Sequence, residues 1–259
     1  MKRRGSDLRY DLQITLEEAA FGTEKELELE KSCACRTCRG TGSASGGGTS
    51  TCSTCGGHGQ VITSRGFFQV QQTCPDCGGS GQMMSNPCSD CSGTGRNDRT
   101  ERIKLKIPAG IAAGSRLRSS GNGDAGIRGG PSGDLYVVIH IREHEIFERD
   151  EDDLYCEVPV SFATAALGGE LVVPTLAGKA SIRVPDGTQN GTHFRLKDKG
   201  LPHLNSSRHG DLLVKVQVEV PTKLNRKQKE MLQNFSESLG DRNRPIHESF
   251  LEKARRFFK

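Results

Sequence analysis

Along most of the chain, apolar residues fall on alternate positions, the period of a strand with one buried face. Leu27-Glu28-Leu29 and Ile103-Lys104-Leu105-Lys106-Ile107 alternate in this way, and Leu212 to Val220 is an apolar, β-branched run. Loops rich in Gly, Pro and Asp separate these stretches. Thr15–Ala20 and Ser161–Ala166 break the alternation and predict short helices, with Thr15 or Ser161 as N-cap and Gly22 or Gly168 past the end. After Pro221 the period changes again. Leu224, Gln228, Met231, Leu232, Phe235 and Leu239 share one helical face that stops at Gly240. A polar break follows, then a second apolar segment with Phe250, Leu251, Ala254, Phe257 and Phe258. Such a terminal amphipathic stretch packs either on its own domain or on a second copy of the chain.

The alternating stretches repeat. Asp7 to Gly22 matches Asp153 to Gly168 at an offset of 146 residues without a gap. Pro108 to Asp134 matches Pro185 to Asp211 at an offset of 77. The two offsets differ by 69 residues, the size of an insertion into the first copy. The expected fold is therefore mainly β: two homologous β domains, a cysteine-rich arm inserted in the first, and a helical C-terminal segment. The expected boundaries are 1–32 with 97–147 for the split first domain, 33–96 for the arm, 148–221 for the second domain and 222–259 for the C-terminal segment.

Within the insertion, the pattern CxxCxGxG occurs four times, starting at Cys35, Cys52, Cys74 and Cys88. Two cysteines three residues apart on a tight turn hold one face of a tetrahedral metal site, and the glycines permit the turn and bring N–H groups to the sulfurs. Eight thiolates suit two zinc ions. The 18 residues between Cys55 and Cys74 match the usual ~15–20-residue zinc spacing. Pairing first with third and second with fourth crosses the connections, which folds avoid. The preferred arrangement is nested, with Cys52, Cys55, Cys74 and Cys77 in one site and Cys35, Cys38, Cys88 and Cys91 in the other. Two sequential sites are the alternative that spacing leaves open. Val61 to Val70 reads as a hairpin turning near Gly66. Cys33 is read as a strand-end or surface residue, and Cys156, among alternating apolar neighbours, as core filling.

Composition narrows the class. Ten cysteines without a signal peptide favour metal over a secreted disulfide framework. Charge is nearly balanced, 36 basic against 32 acidic residues, and no apolar run approaches the ~18 residues of a membrane helix. A soluble, cytoplasmic protein is expected, with no membrane partner.

The four repeats, the opening DLRYDLQITLEEAAFG, and the stretches GDLYV, FERDEDDLYCEVPVSFATAALGGELVVPTL and NRKQKEML closely resemble the bacterial DnaJ co-chaperone family over essentially the whole chain. The resemblance implies two β-sandwich substrate domains, a zinc arm on the first, outer-with-outer and inner-with-inner cysteine pairing, and a C-terminal dimerisation segment. It implies a homodimer that binds unfolded or non-native polypeptides and delivers them to a DnaK-type ATPase chaperone. The family's His-Pro-Asp turn has no counterpart, since none of the seven histidines precedes a proline. The chain is accordingly read as the C-terminal portion of such a protein, in preference to a natural relative without the J domain, and J-domain ATPase stimulation is not expected of it.

By the same resemblance, a client groove in the first domain involves Leu8, Leu27 and Leu29, with Val138 and Leu171, and dimerisation involves Phe250, Leu251, Phe257 and Phe258. Core burial is the competing account of each leucine. Leu27 and Leu29 gain weight because Val173 and Thr175 replace them in the second copy. Gln60 to Gln71, with Phe67 and Phe68, is the expected contact stretch of the arm. No catalytic residue is expected. Two other classes compete: a zinc-ribbon nucleic-acid module, for which only Arg36, Arg39 and Arg65 supply positive charge between Cys35 and Cys91, and a thiol-disulfide oxidoreductase using a CxxC pair.

Overall fold

The computed structural model describes residues 2–44, 48–65, 68–204, 206–240, 243, 250, 253–254 and 256–258. The chain opens with β1 (Leu8–Ile14), α1 (Leu16–Phe21) and β2 (Thr23–Ala34). The insertion carries β3 (Thr49–Thr51), β4 (Gln60–Arg65), β5 (Phe68–Thr73) and β6 (Gln82–Met84). The first copy resumes with β7 (Arg96–Ile107), β8 (Arg116–Ser119) and β9 (Leu135–Ile141). Then come β10 (Glu148–Asp150), β11 (Asp153–Ser161), α2 (Phe162–Leu167), β12 (Gly169–Thr175) and β13 (Gly178–Val184). The chain continues through β14 (His193–Leu196), β15 (Leu212–Glu219) and α3 (Arg226–Ser238).

In the first copy, β9 lies between β1, which it pairs in parallel, and β8, which it pairs antiparallel. The ribbon β2–β7 packs its alternate residues against this sheet. Leu27, Leu29, Ile103, Leu105 and Ile107 meet Ile14, Leu135, Val137 and Ile139 in one core, with Leu8, Tyr10 and Leu12 half-buried beside it. Alternation puts those residues on the inner face of each strand and leaves charged residues outside. Helix α1 starts at a capping box, in which the Thr15 hydroxyl accepts the Glu18 N–H and the Glu18 carboxylate accepts the Thr15 N–H.

The repeat read from the sequence recurs element by element. Helix α2 is α1 displaced by 146 residues, with Ser161 as its N-cap and Gly168 past its end, and β14 is β8 displaced by 77. The strand order β11-β15-β14 reproduces β1-β9-β8, and β12–β13 reproduces β2–β7. Buried Asp134 accepts the Gly121 N–H and an ion pair from Arg118, while its own N–H donates to Asp7. In the second copy Asp211 accepts the Asp198 N–H and pairs with Arg195, and its N–H donates to Asp153.

The chain forms two compact units. One comprises Met1–Cys156, Thr175–Ala177 and Arg195–Leu213; the other comprises Glu157–Pro174, Gly178–Phe194 and Val214–Lys259. The first holds the first copy, the insertion and part of the second copy. In the second unit Val160, Ala165 and Val216 form a small core flanked by Leu171, Phe194 and Val218. Helix α3, capped by Asn225 and Gln228, buries none of its residues. No helix is long and apolar enough to cross a membrane.

Candidate metal centre

The insertion is a series of nested ladders. The β2–β7 pairing runs without interruption from Thr23↔Ile107 to Ala34↔Arg96. Beyond it Cys35 and Cys38 meet Cys88 and Cys91; then β3 pairs with β6; then Cys52 and Cys55 meet Cys74 and Cys77; then β4 pairs with β5. In each group the four sulfurs lie within 4.8 Å of one another. Cys35 and Cys88 Sγ are 4.0 Å apart, Cys38 and Cys91 3.7 Å, Cys52 and Cys74 3.9 Å, and Cys55 and Cys77 3.7 Å. Four sulfurs bound at ~2.3 Å around a tetrahedral ion stand ~3.8 Å apart, so both groups have the dimensions of a four-cysteine zinc site. A disulfide requires ~2.05 Å, and all ten cysteines are free.

The backbone around each group explains the repeat. The last glycine of every motif donates its N–H to that motif's second cysteine sulfur: Gly42 to Cys38, Gly59 to Cys55, Gly81 to Cys77 and Gly95 to Cys91, at 3.2–3.3 Å. The carbonyl of the same glycine accepts the first cysteine N–H of the partner motif. Cys88 donates to Gly42, Cys35 to Gly95, Cys74 to Gly59 and Cys52 to Gly81. Each site is thus a reciprocal pair of turns. The N–H donors delocalise thiolate charge, as a buried metal–sulfur centre requires.

The same donors divide the thiols electrostatically. Burial works against ionisation of Cys38 and Cys77, but the N–H groups of Gly42 and Gly81, together with neighbouring thiols, prevail and hold both pKa values at about 7. Burial, with the neighbouring thiols, pushes Cys88 up to about 11 against the Cys91 and Asp90 N–H donors. Cys74 also stands at about 11, its strongest influence, the Cys77 N–H, being outweighed by burial and the adjacent thiols. Each group therefore offers one thiol that ionises near neutrality and one that gives up its proton when a cation arrives.

Of the two arrangements that spacing allowed, the structure adopts the nested one. A signal for it was present in the sequence. The residue before the second cysteine is Thr37 or Thr54 in the first two motifs and Asp76 or Asp90 in the last two. Thr37 donates to Asp90 and Thr54 to Asp76, one Thr–Asp bond across each site. Sequential sites would place threonine against threonine and aspartate against aspartate. At the base of the insertion lies a feature the sequence reading missed: the Lys31 ammonium, 5 % exposed, pairs with Glu101 at 2.7 Å and donates to the Asn122 carbonyl. Lys31, the strongest influence on Glu101, holds its carboxyl below the usual range. Cys33 is buried within β2 with its thiol directed at Glu101, so it is not a surface residue. Cys156 is buried, and burial raises its pKa.

Of the five residues expected in a client groove, Leu8, Leu27, Leu29 and Val138 lie in the unit that holds the first copy. Leu27 is 3 % and Leu29 9 % exposed, both within the core, and Leu8 is half-buried beside them. Val138 faces away from that core, because Leu135, Val137 and Ile139 take the inward positions of β9. Leu171 belongs to the other compact unit. Phe250, Phe257 and Phe258 are exposed; Leu251 and Phe67 lie outside the described residues.

Residues 8–221 match the family model described as the DnaJ C terminal domain, and residues 227–259 match that of the Chaperone protein DnaJ C-terminal region. The chain belongs to the DnaJ family. It is 54 % identical over 254 residues to the Chaperone protein DnaJ of Opitutus terrae, covering 98 % of this chain and 66 % of that protein. To the DnaJ of Vesicomyosocius okutanii it is 51 % identical over 256 residues, covering 99 % and 70 %. To that of Nitrosomonas europaea it is 48 % identical over 258 residues, covering 98 % and 70 %. The chain thus spans about two thirds of the length of these DnaJ relatives. The two four-cysteine groups fit the two zinc ions of the DnaJ repeats, as their number, donor set and spacing require.

Proposed function

We propose that this chain binds extended, non-native polypeptide along the outer edge of β2 and delivers it to a DnaK-type ATPase, without a reaction of its own. One observation carries this reading. Among the described residues β2 pairs only with β7, so its other edge from Glu24 to Glu30 is free, and Leu8, Tyr10 and Leu12 are half-buried against the core to which Leu27 and Leu29 belong. An unpaired strand edge is what an unfolded chain, with its own unpaired backbone, adds to.

The zinc ions fold the arm, in which the apolar cluster among the described residues around the inner site is the four cysteines with partly buried Val61, too little core to fold otherwise. The C-terminal segment supplies the second half of the mechanism. Helix α3 leaves Met231, Leu232 and Phe235 exposed, and Phe250, Phe257 and Phe258 follow it. Covering those residues with a second copy holds two weak client sites on one polypeptide and raises avidity through effective concentration. A cytoplasmic setting suits reduced thiols and a DnaK-type partner.

Aggregation of a chemically denatured client, followed by light scattering with and without the chain, tests this reading. Suppression that is lost in Glu28→Pro, which deletes one N–H from the free edge, supports it. Undiminished suppression by that variant places binding elsewhere.

A further inference from the structure

The free edge of β2 also carries a chemical preference, an inference that rests on the strand-addition reading above. Ser32 fixes which backbone groups point outward: its N–H donates to the Asp124 carboxylate and its carbonyl accepts the Ala125 N–H, both away from β7. Backbone groups alternate along a strand, so the N–H and C=O groups of Glu24, Glu26, Glu28 and Glu30 point the same way. Those four residues are also the solvent-facing side chains of β2, alternating with Lys25, Leu27, Leu29 and Lys31. The edge a client would pair with is therefore lined by four consecutive outward carboxylates.

Strand β7 exemplifies the neighbour that β2 accepts. Its inward residues are Ile103, Leu105 and Ile107; its outward ones, Arg102, Lys104 and Lys106, stand directly across from Glu28, Glu26 and Glu24. Arg102 and Glu28 form an ion pair of 2.8 Å. Opposite charges directly across a ladder stabilise pairing and like charges oppose it. On the other flank of β2 the glutamates meet the same requirement with no strand to fulfil it.

The second copy supplies a contrast. At the offset of 146 residues, Glu26 becomes Val172 and Glu28 becomes Pro174 in β12. Proline at an outward position removes the N–H that an added strand would use, and of the carboxylate row only Glu170, in the place of Glu24, remains. The acidic open edge is a property of the first copy alone.

We infer that β2 selects client segments in which apolar residues alternate with lysine or arginine, the apolar side chains turned towards Leu8 and the core, the cations across from Glu24, Glu26, Glu28 and Glu30.

Three fluorescent nine-residue peptides with identical apolar positions, and with Lys, Ser or Glu at the alternate ones, test this by anisotropy on the whole 259-residue chain. The Lys peptide is expected to bind about tenfold tighter than the Ser peptide, the combined effect of several exposed cross-strand ion pairs, with the Glu peptide weakest. The gap should shrink towards ~1 M salt, where the screening length falls to ~3 Å. Glu24→Lys/Glu26→Lys/Glu30→Lys, with retained zinc and melting temperature, should invert the order. Equal binding of all three peptides, lost in Glu28→Pro, overturns the charge preference and leaves the strand-edge reading standing. Failure of every peptide to bind, or binding untouched by Glu28→Pro, overturns both.

Discussion

A β-carbon placed on Gly42 would lie 2.5 Å from the carbonyl oxygen of Gly93. The two residues belong to the first and fourth repeats, and Gly42 adopts a φ of +81°. The same interlock joins Gly95 to Gly40, Gly59 to Gly79 and Gly81 to Gly57, at 2.2–2.5 Å. No side chain fits at the last position of any repeat, and the obstruction is always the backbone of the partner repeat.

Gly42→Ala is accordingly expected to lose one of the two bound zinc ions while leaving the inner site loaded, and Gly59→Ala to do the reverse. Metal analysis of purified variants reads this directly. Two full equivalents of zinc in either variant would contradict the interlock.

Removing both metals separates the insertion from the β core. With a strong chelator present, amides of β3, β4, β5 and β6 should exchange as in an unfolded chain, whereas those of Leu135 to Ile141 stay protected. Hydrogen exchange with mass spectrometry checks this, and protection that persists throughout the insertion would show that the metals do not fold it.

Leu27→Ala is expected to cost about 2–5 kcal/mol of stability, because it opens a cavity in the core rather than trimming a surface. Denaturant melts measure it. A cost of a few tenths of a kcal/mol would mean that Leu27 faces an open groove instead.

Acid should weaken the conserved geometry of both copies in the same way. The Gly121 N–H, followed by Arg118 and Arg4, holds the Asp134 carboxyl below the usual range; for Asp211 the Asp198 N–H leads, followed by Arg195. A depressed folded pKa gives stabilisation that is present above the ordinary carboxylate range and lost as pH falls through it. Asp134→Asn should therefore melt lower than the parent at pH 7, with the gap closing below about pH 4. A gap that persists at pH 2 would assign the effect to shape instead of charge.

The paired substitution Phe257→Ser/Phe258→Ser should convert the proposed dimer to a monomer with an unchanged melting temperature, since both rings are exposed and lie edge to face against one another. Light scattering after gel filtration gives the mass.

Much of this architecture was legible because it is local or repeated. The Thr15 and Ser161 caps and the spacing of the cysteine pairs need only a few neighbouring residues to be recognised, and the repeat offsets align whole strands. The nested pairing was legible too, through Thr37, Thr54, Asp76 and Asp90, but only on comparing side chains between motifs. What could not be read was direction: whether Leu27 points inward and Val138 outward depends on the register of β2 on β7 and of β9 on β1. The Lys31–Glu101 pair escaped because a lysine in an alternating strand reads as a solvated position, and its burial comes from the loop at Asn122.

The nesting of the two centres sets an order for assembling the insertion. The inner cysteines lie 22 residues apart and the outer ones 53. Loop-closure entropy grows with the logarithm of length, so the inner clasp closes more cheaply by about 1 kcal/mol, and once closed it shortens the loop the outer clasp must span. A chain leaving the ribosome exposes Cys77 before Cys88, so synthesis reinforces the same sequence of events. The fourth repeat is then the latch: until it arrives, the long β2–β7 ladder has no second strand.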